Sequence, residues 1–306
     1  MTSFFTLAIV QSALEVGFIY ALVAMALFLS YSVLNIADLS TDNCFILGCA
    51  VGSTVALAGH PFLGLFAAMA AGVCSGFVTA FLQTRLGVES ILAGIIVNTG
   101  LYTINLMAMG WKANESLLGV DTLFTIVKKT GVFGSFYELI PAAVITILMG
   151  ALLWLFMGTR LGLSIRATGD NQDMVRASSL NPTFTVSVGL CVSNALTALS
   201  GAIVGQYQKT VDINSGTGIV VIALACLIIG ETVLGRRSVV KGIIAAIVGS
   251  LIYLFIYAVV FYTKIVPVEC LKLLTAIIVA LAIAAPSLKK WAAFQQRKMA
   301  ARKERV

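Results

Sequence analysis

The sequence predicts an all-α protein: a polytopic membrane bundle of about nine transmembrane helices, within a range of eight to ten, containing an inverted internal repeat. Three observations carry this. The chain is 59% hydrophobic and only 11% charged, against about 25% charged in soluble domains, so it cannot hide its apolar surface in a water-soluble core. Its apolar segments run to roughly 20 residues, the length that crosses about 30 Å of hydrocarbon as helix. The period-2 alternation of a membrane barrel is absent.

Candidate spans fall at residues 12–32, 43–58, 62–83, 90–110, 138–158, 183–206, 218–235, 239–262 and 268–286, within one domain covering 1–306. The stretch ahead of the first span has neither the basic flank nor the small-residue cleavage site of a signal peptide. It is expected to remain as a peripheral helix leading into that span. Placing residues 159–182 in the cytoplasm puts fourteen of the twenty Lys and Arg residues inside, Arg85, Arg236, Arg237 and the C-terminal tail among them, and leaves six outside. That satisfies the positive-inside rule. The N-terminus then lies outside, the C-terminus lies inside, and the 111–137 connection faces the exterior. The net charge of +7 is therefore topological. The basic tail has no folded stripe or interleaved aromatics for nucleic acid; attraction to anionic membrane lipid is the expected role.

Six cysteines, Cys44, Cys49, Cys74, Cys191, Cys226 and Cys270, are scattered through apolar segments without CxxC spacing, the pattern of inert buried thiols. His60, the one histidine, stands beside Pro61 in a tight turn and lacks the partners a metal site requires.

Sliding the chain against itself by 178 residues lays Gly52, Thr54, Val55, Gly64, Ala67 and Ala68 on Gly230, Thr232, Val233, Gly242, Ala245 and Ala246. After a four-residue slip, Ile95, Ile96 and Val97 fall on Ile277, Ile278 and Val279. The repeat halves are then about 40–110 and 217–286. Five spans separate the copies, and an odd offset inverts one copy relative to the other. Two inverted halves can rock about a central site. That is the sequence's own argument for a transporter.

Polar residues deep in the spans, Asn98, Asn105, Asn194 and Thr197, each need a partner in hydrocarbon. They serve either as interhelical hydrogen-bond glue or as the lining of a solute path. Glu231 lies five residues before Arg236, where that arginine or water can satisfy it. No phosphate-cradling GxxxxGK[ST] loop is present, so the chain does not bind ATP by that mechanism. Beyond Glu231 and Lys272 the spans offer almost no ionisable group for ion coupling. Energy must then come from a partner that pushes on the cytoplasmic face.

The polar island TRLGLSIRATGDNQDMVRASSLNP, residues 159–182, has the form of the docking part. Gly169 or Asp170 can cap one short helix running to about Ser179, with Asp173 in its first turn and Arg176 near its end. Met174, Ala177 and Leu180 form an apolar ridge. An interfacial helix lying on lipid is the competing reading.

Within that island RATGDNQDMVRASSLNP resembles the coupling segment of the branched-chain amino-acid and ribose type permeases of ATP-binding cassette importers, with the pattern G-x-x-x-R-A-x-G-x-N-x-x-x-A-x-x-x-G-I-N. Gly162, Arg166, Ala167, Gly169, Asn171 and Asn181 match in order, and Ser179 stands where the family has glycine. The opening, ALEVGFIYALVAMALFLSYSVLNIADLSTDNCFILGCAV, is similar to that of the same permeases, and its LNIADLSTDNCFILG to a subgroup whose binding proteins are assigned to tryptophan or tyrosine. The resemblance implies a permease subunit in the bacterial plasma membrane that is not itself an enzyme. Its partners would be a second permease copy, two cytoplasmic ATPase subunits and an extracytoplasmic solute-binding protein; ATP and Mg would be used by the ATPase, with no cofactor on this chain. Arg166, Thr168, Gly169, Asp170, Asn171, Met174 and Arg176 would contact the ATPase, with Glu231 and Arg236 in a second contact. The path would run by Asn98, Asn105, Asn194 and the Thr41, Asp42, Asn43 group. The expected solute is an amino acid, with an aromatic one favoured and sugars or nucleosides open. An ion-coupled secondary carrier is the alternative class.

Overall fold

The computed structural model describes residues 7–131, 134–235 and 238–263, together with positions 273, 276, 277, 280 and 284. Among these residues lie eleven α-helices: α1 Leu7–Leu27, α2 Thr41–Leu57, α3 Pro61–Thr84, α4 Ser90–Ala108, α5 Leu123–Thr130, α6 Leu139–Gly158, α7 Arg160–Asp170, α8 Gln172–Ala177, α9 Pro182–Gln208, α10 Ile219–Leu234 and α11 Val239–Thr263. Six segments are long and apolar enough to cross a membrane, and α2 and α10 are shorter apolar helices. The ninth expected span, 268–286, lies outside the described residues apart from isolated positions, so the count of nine is not established.

The N-terminal expectation needs correction. From Leu7 the chain runs as one rod, α1 passing directly into a π-helical turn at Phe28–Val33, so among the described residues the 7–11 stretch is part of the span's own helix and no separate helix precedes it. The rod stays continuous because its apolar residues pack all round it: Ile19 and every residue from Ala21 to Leu29 are almost fully buried.

α9 is the centre of the bundle. Of the window that qualifies it as a span, 83% is buried, against 22% for α6, which places α9 inside and α6 at the periphery. Small polar side chains tie it to α1: the Ser193 and Ser200 hydroxyls donate to the carbonyls of Ala26 and Ile19, both at 2.8 Å. Thr146 on α6 donates to the Phe18 carbonyl at 2.7 Å. Such bonds across helices stand in for the hydrophobic force that lipid does not supply. On the other flank of α9, α2 and α3 approach at backbone distance, with Gly48, Gly72 and Gly76 leaving no room for side chains against Ala198, Asn194 and Leu190.

α2 and α10 begin at Thr41 and Ile219, and α3 and α11 at Pro61 and Val239; both pairs are 178 residues apart, the spacing of the sequence echo. At the end of the bundle away from α7 and α8, β1 (Asn114–Ser116) pairs antiparallel with β2 (Thr210–Asp212), Glu115 opposite Val211. This ties the 111–137 connection to the segment following α9. Burial there pushes the Glu115 carboxyl up from its ordinary value, and Lys112 opposes the shift.

Candidate functional site

The polar island folds as an elbow of two helices rather than the one helix expected. Thr159 caps α7, its hydroxyl accepting from the Gly162 amide at 3.2 Å. Gly162, Ile165 and Thr168 recur every three residues and are buried, so this face of α7 lies on the bundle. Thr168 meets Thr185 of α9 at 2.7 Å between hydroxyls. Gly169 rests on the Val33 carbonyl at the end of the π-helical turn. The break falls at Asn171, not at Gly169 or Asp170: Asn171 is extended (φ −159°), and its side-chain oxygen accepts from the amides of Asp173 and Met174 at 3.0 and 3.1 Å. Asparagine is among the strongest caps because its short side chain reaches those orphan donors. Gly169 is needed inside α7 for close approach.

α8 is anchored by buried Val175, while Met174 (58% exposed), Ala177 and Leu180 (43% exposed) face outward. Arg166, Asp170, Asn171 and Arg176 are also exposed. Arg176 lies 3.8 Å from Asp173, an exposed pair that adds little on its own and leaves both charges available. The elbow is thus an outward apolar knuckle ringed by charges, with its back bolted to α9 and to the end of α1. The expected coupling residues divide accordingly: Thr168 and Gly169 face the bundle, and the other five face out. Arg236 lies outside the described residues. Glu231, at the end of α10, accepts from the Ser32 hydroxyl at 2.9 Å. The π-helical turn therefore touches the elbow through Val33 and α10 through Ser32. π-turns are rare and often occur at functional sites.

The six expected path residues converge on the first turn of α2. The Asn43 amide donates to the Asn98 side chain at 3.0 Å, the Asn43 side chain donates to the Asn98 carbonyl at 2.7 Å, and Asn105 donates to the Asn43 carbonyl at 3.0 Å. Thr41 is buried and donates to the Asp38 carbonyl at 3.0 Å. Asn194, fully buried, donates to the Asp38 carboxylate at 2.8 Å. Asp42 reaches across to α10 and accepts from the amides of Gly218 and Val220 at 3.0 and 2.9 Å. A helix N-terminus carries roughly half a positive charge. Asp42, in the first turn of α2 and on the first amides of α10, serves two such termini.

Two acids, Asp38 and Glu15, escaped the sequence reading, and a third, Asp42, was given a different role. Asp38 is 3% exposed and is held by Ser40 through both backbone amide (2.9 Å) and hydroxyl (2.6 Å), as well as by Asn194. Glu15, also 3% exposed, accepts from Gln11 and Tyr207, each at 2.9 Å. Asp42 was read as path-lining rather than as a joint between helices. The expectation that ionisable groups inside the bundle were almost confined to Glu231 and Lys272 is corrected by these residues. Glu15 sits within a candidate span and was visible; Asp38 becomes interior only because the 34–40 connection tucks against α9 and, through Leu39, against Gly94 of α4.

Comparisons with known proteins agree with this architecture. Residues 9–284 match the family described as "Branched-chain amino acid transport system / permease component". A tyrosine transport system permease protein of Clostridioides difficile is 30% identical over 88% of each chain. A ribose import permease protein of Escherichia coli is 25% identical over 80% of this chain and 77% of its own. A fructose import permease protein of Bifidobacterium longum is 24% identical over 76% and 66%. No solved structure matches at a significant level. The chain belongs to the branched-chain amino acid transport system permease component family.

Proposed function

We propose that this chain is the membrane-spanning permease of an ATP-binding cassette importer, taking up an amino acid, with an aromatic one favoured over the sugar or nucleoside alternative. The observation that carries the reading is the elbow. It offers a small apolar knuckle with charges around it, and it is fixed through Val33 and Thr185 to α1 and α9, so force applied to α8 reaches the helices around which the bundle is built. In this reading two cytoplasmic ATPase subunits bind ATP and Mg and press on Arg166, Asp170, Asn171, Met174 and Arg176, with Glu231 and Arg236 nearby. Thr168 and Gly169 pass the motion to the bundle. A second copy of the chain completes the path, and an extracytoplasmic binding protein delivers the solute at the β1–β2 end. The N-terminus then lies outside and the C-terminus in the cytoplasm of a bacterial cell.

Charge reversal tests this. Arg166→Glu and Asp170→Lys are exposed changes expected to leave the amount of protein in the membrane unaltered and to lower ATP-driven uptake in proteoliposomes by at least about tenfold, since like-charge juxtaposition across an interface costs several kcal/mol. Uptake at the wild-type rate by both variants would remove the elbow from the mechanism. The ion-coupled alternative draws on Glu15, Asp38 and Asp42, which give it interior acids. All three are engaged in hydrogen bonds with fixed partners. Uptake driven by a proton gradient with this chain alone would favour that alternative.

A further inference from the structure

A groove of about 1000 Å³ runs along α9 between α3 and α6. α9 forms its floor, α3 its long wall, and Met149 of α6 closes the far side. Its middle is apolar: Val73, Phe77 and Phe81 on α3 and Phe184 on α9 are between 41% and 57% exposed, so the walls open to the membrane rather than pack on protein. Phe77 and Phe81 support each other with ring centroids 6.5 Å apart. Along α3 the lining runs from Met69 to Arg85, about 24 Å of helix at about 1.5 Å per residue. That exceeds the roughly 15 Å of hydrocarbon in one leaflet, half of the membrane core.

The groove ends in a polar rim at the elbow, where Leu180 and Asn181 join α8 to α9. The charge there is of one sign. Arg85, just past the end of α3, is exposed and forms no ion pair among the described residues, not even with nearby Glu89. Beside it begins α9, a helix of 27 residues, whose N-terminus carries roughly half a positive charge. Asn181 caps that helix through its side-chain oxygen, which accepts from the Thr183 amide at 3.0 Å, leaving its NH2 group for an outside acceptor. Among the described residues no acid lines the groove.

We propose that this groove binds one anionic phospholipid from the leaflet on the elbow side, with its phosphate on Arg85, Asn181 and Thr183 and an acyl chain laid over Phe77, Phe81 and Phe184. Basic pockets between membrane helices take anionic headgroups in this way. A zwitterionic lipid would bring an ammonium to a rim that offers it no carboxylate. A second copy of the chain fits worse. A two-fold axis normal to the membrane would set its Arg85 rim against this one, like charge facing like. The bound lipid spans α3 and the first turn of α9, so it clamps the root of the elbow to the bundle. The site belongs to the chain in its membrane and stands independently of the importer reading.

The test reconstitutes the full chain in phosphatidylcholine liposomes holding a trace of phosphatidylglycerol with a diazirine in one acyl chain, or of the matching phosphatidylcholine probe. Adducts are mapped by mass spectrometry after irradiation. The anionic probe is expected to label segments 69–85 and 184–196 about fivefold more than its zwitterionic twin, the factor one arginine near an anionic headgroup supplies. The outer face of α6 around Trp154 and Leu155, both exposed, should take the two probes equally, and that labelling in each variant reports an intact bundle. Arg85→Gln should remove the excess, and Arg85→Lys, which keeps the charge, should retain it. Val73→Trp narrows the groove without touching the rim and should also remove it, which separates a groove from a bare surface charge. Equal labelling of the groove by both probes, an excess that survives Arg85→Gln or Val73→Trp, an excess lost in Arg85→Lys, or groove segments that take no lipid and crosslink to a second copy would overturn the proposal.

Discussion

Gly169→Val is expected to remove most of the ATP-driven uptake. A Cβ at this position would fall far inside van der Waals contact distance of the Val33 carbonyl oxygen, with the Leu34 Cα at 3.0 Å behind it. Neither is the yielding tip of a side chain, so α7 must lift from the π-helical turn or the turn must unwind. Overpacking of this kind costs about 1–3 kcal/mol, small enough for the bundle to survive. The loss falls on transmission, because the contact that ties the elbow to α1 is the one removed. Proteoliposome uptake should drop by more than about tenfold, the rate equivalent of the lower half of that energy, while ATP hydrolysis by the complex persists. Uptake near the wild-type rate would show that the contact is incidental.

Asp42→Ala should produce the second large effect, and here stability and transport fall together. The carboxylate satisfies the Gly218 and Val220 amides at the head of α10 while sitting in the first turn of α2. Removing it leaves two interior donors without an acceptor, each worth about 1–3 kcal/mol, and leaves two positive helix termini without their shared counter-charge. The thermal midpoint in detergent should fall by several degrees, since about 1 kcal/mol shifts a chain of this size by roughly 2–4 °C. Asp42→Asn keeps one acceptor oxygen and should fall between. If alanine melts with the wild type, Asp42 is not the joint between the two halves.

Much of the bundle was legible because hydropathy and helix length suffice for spans. The expected starts at 43, 62, 90, 138, 183, 218 and 239 lie within two residues of the observed helices, since Pro61, Ser90 and Pro182 begin helices for local reasons. The residues at the head of α2 were also identified, because a polar group in hydrocarbon demands an account. Their roles were less visible. Asp42 bonds a segment 176 residues away, and no local pattern shows that. The π-helical turn at Phe28–Val33 escaped because its sequence, FLSYSV, carries the same apolar character as an α-turn. The elbow was mislocated by one or two residues, Gly169 or Asp170 having been taken as the helix boundary. A glycine inside a helix marks either an end or a close approach, and only the neighbour at Val33 decides which.

The central claim is that the α8 knuckle is where an ATPase subunit pushes. It is tested most directly by placing a benzophenone side chain at Met174 in the assembled importer and irradiating it in the membrane. Met174 is exposed and points away from the bundle, so the substitution does not disturb the contacts at Val33 and Thr185. The account predicts a covalent adduct with the ATPase subunit, lost in Asp170→Lys. Adducts with lipid alone, or protection of position 174 from every reagent except one confined to the cell exterior, would contradict it.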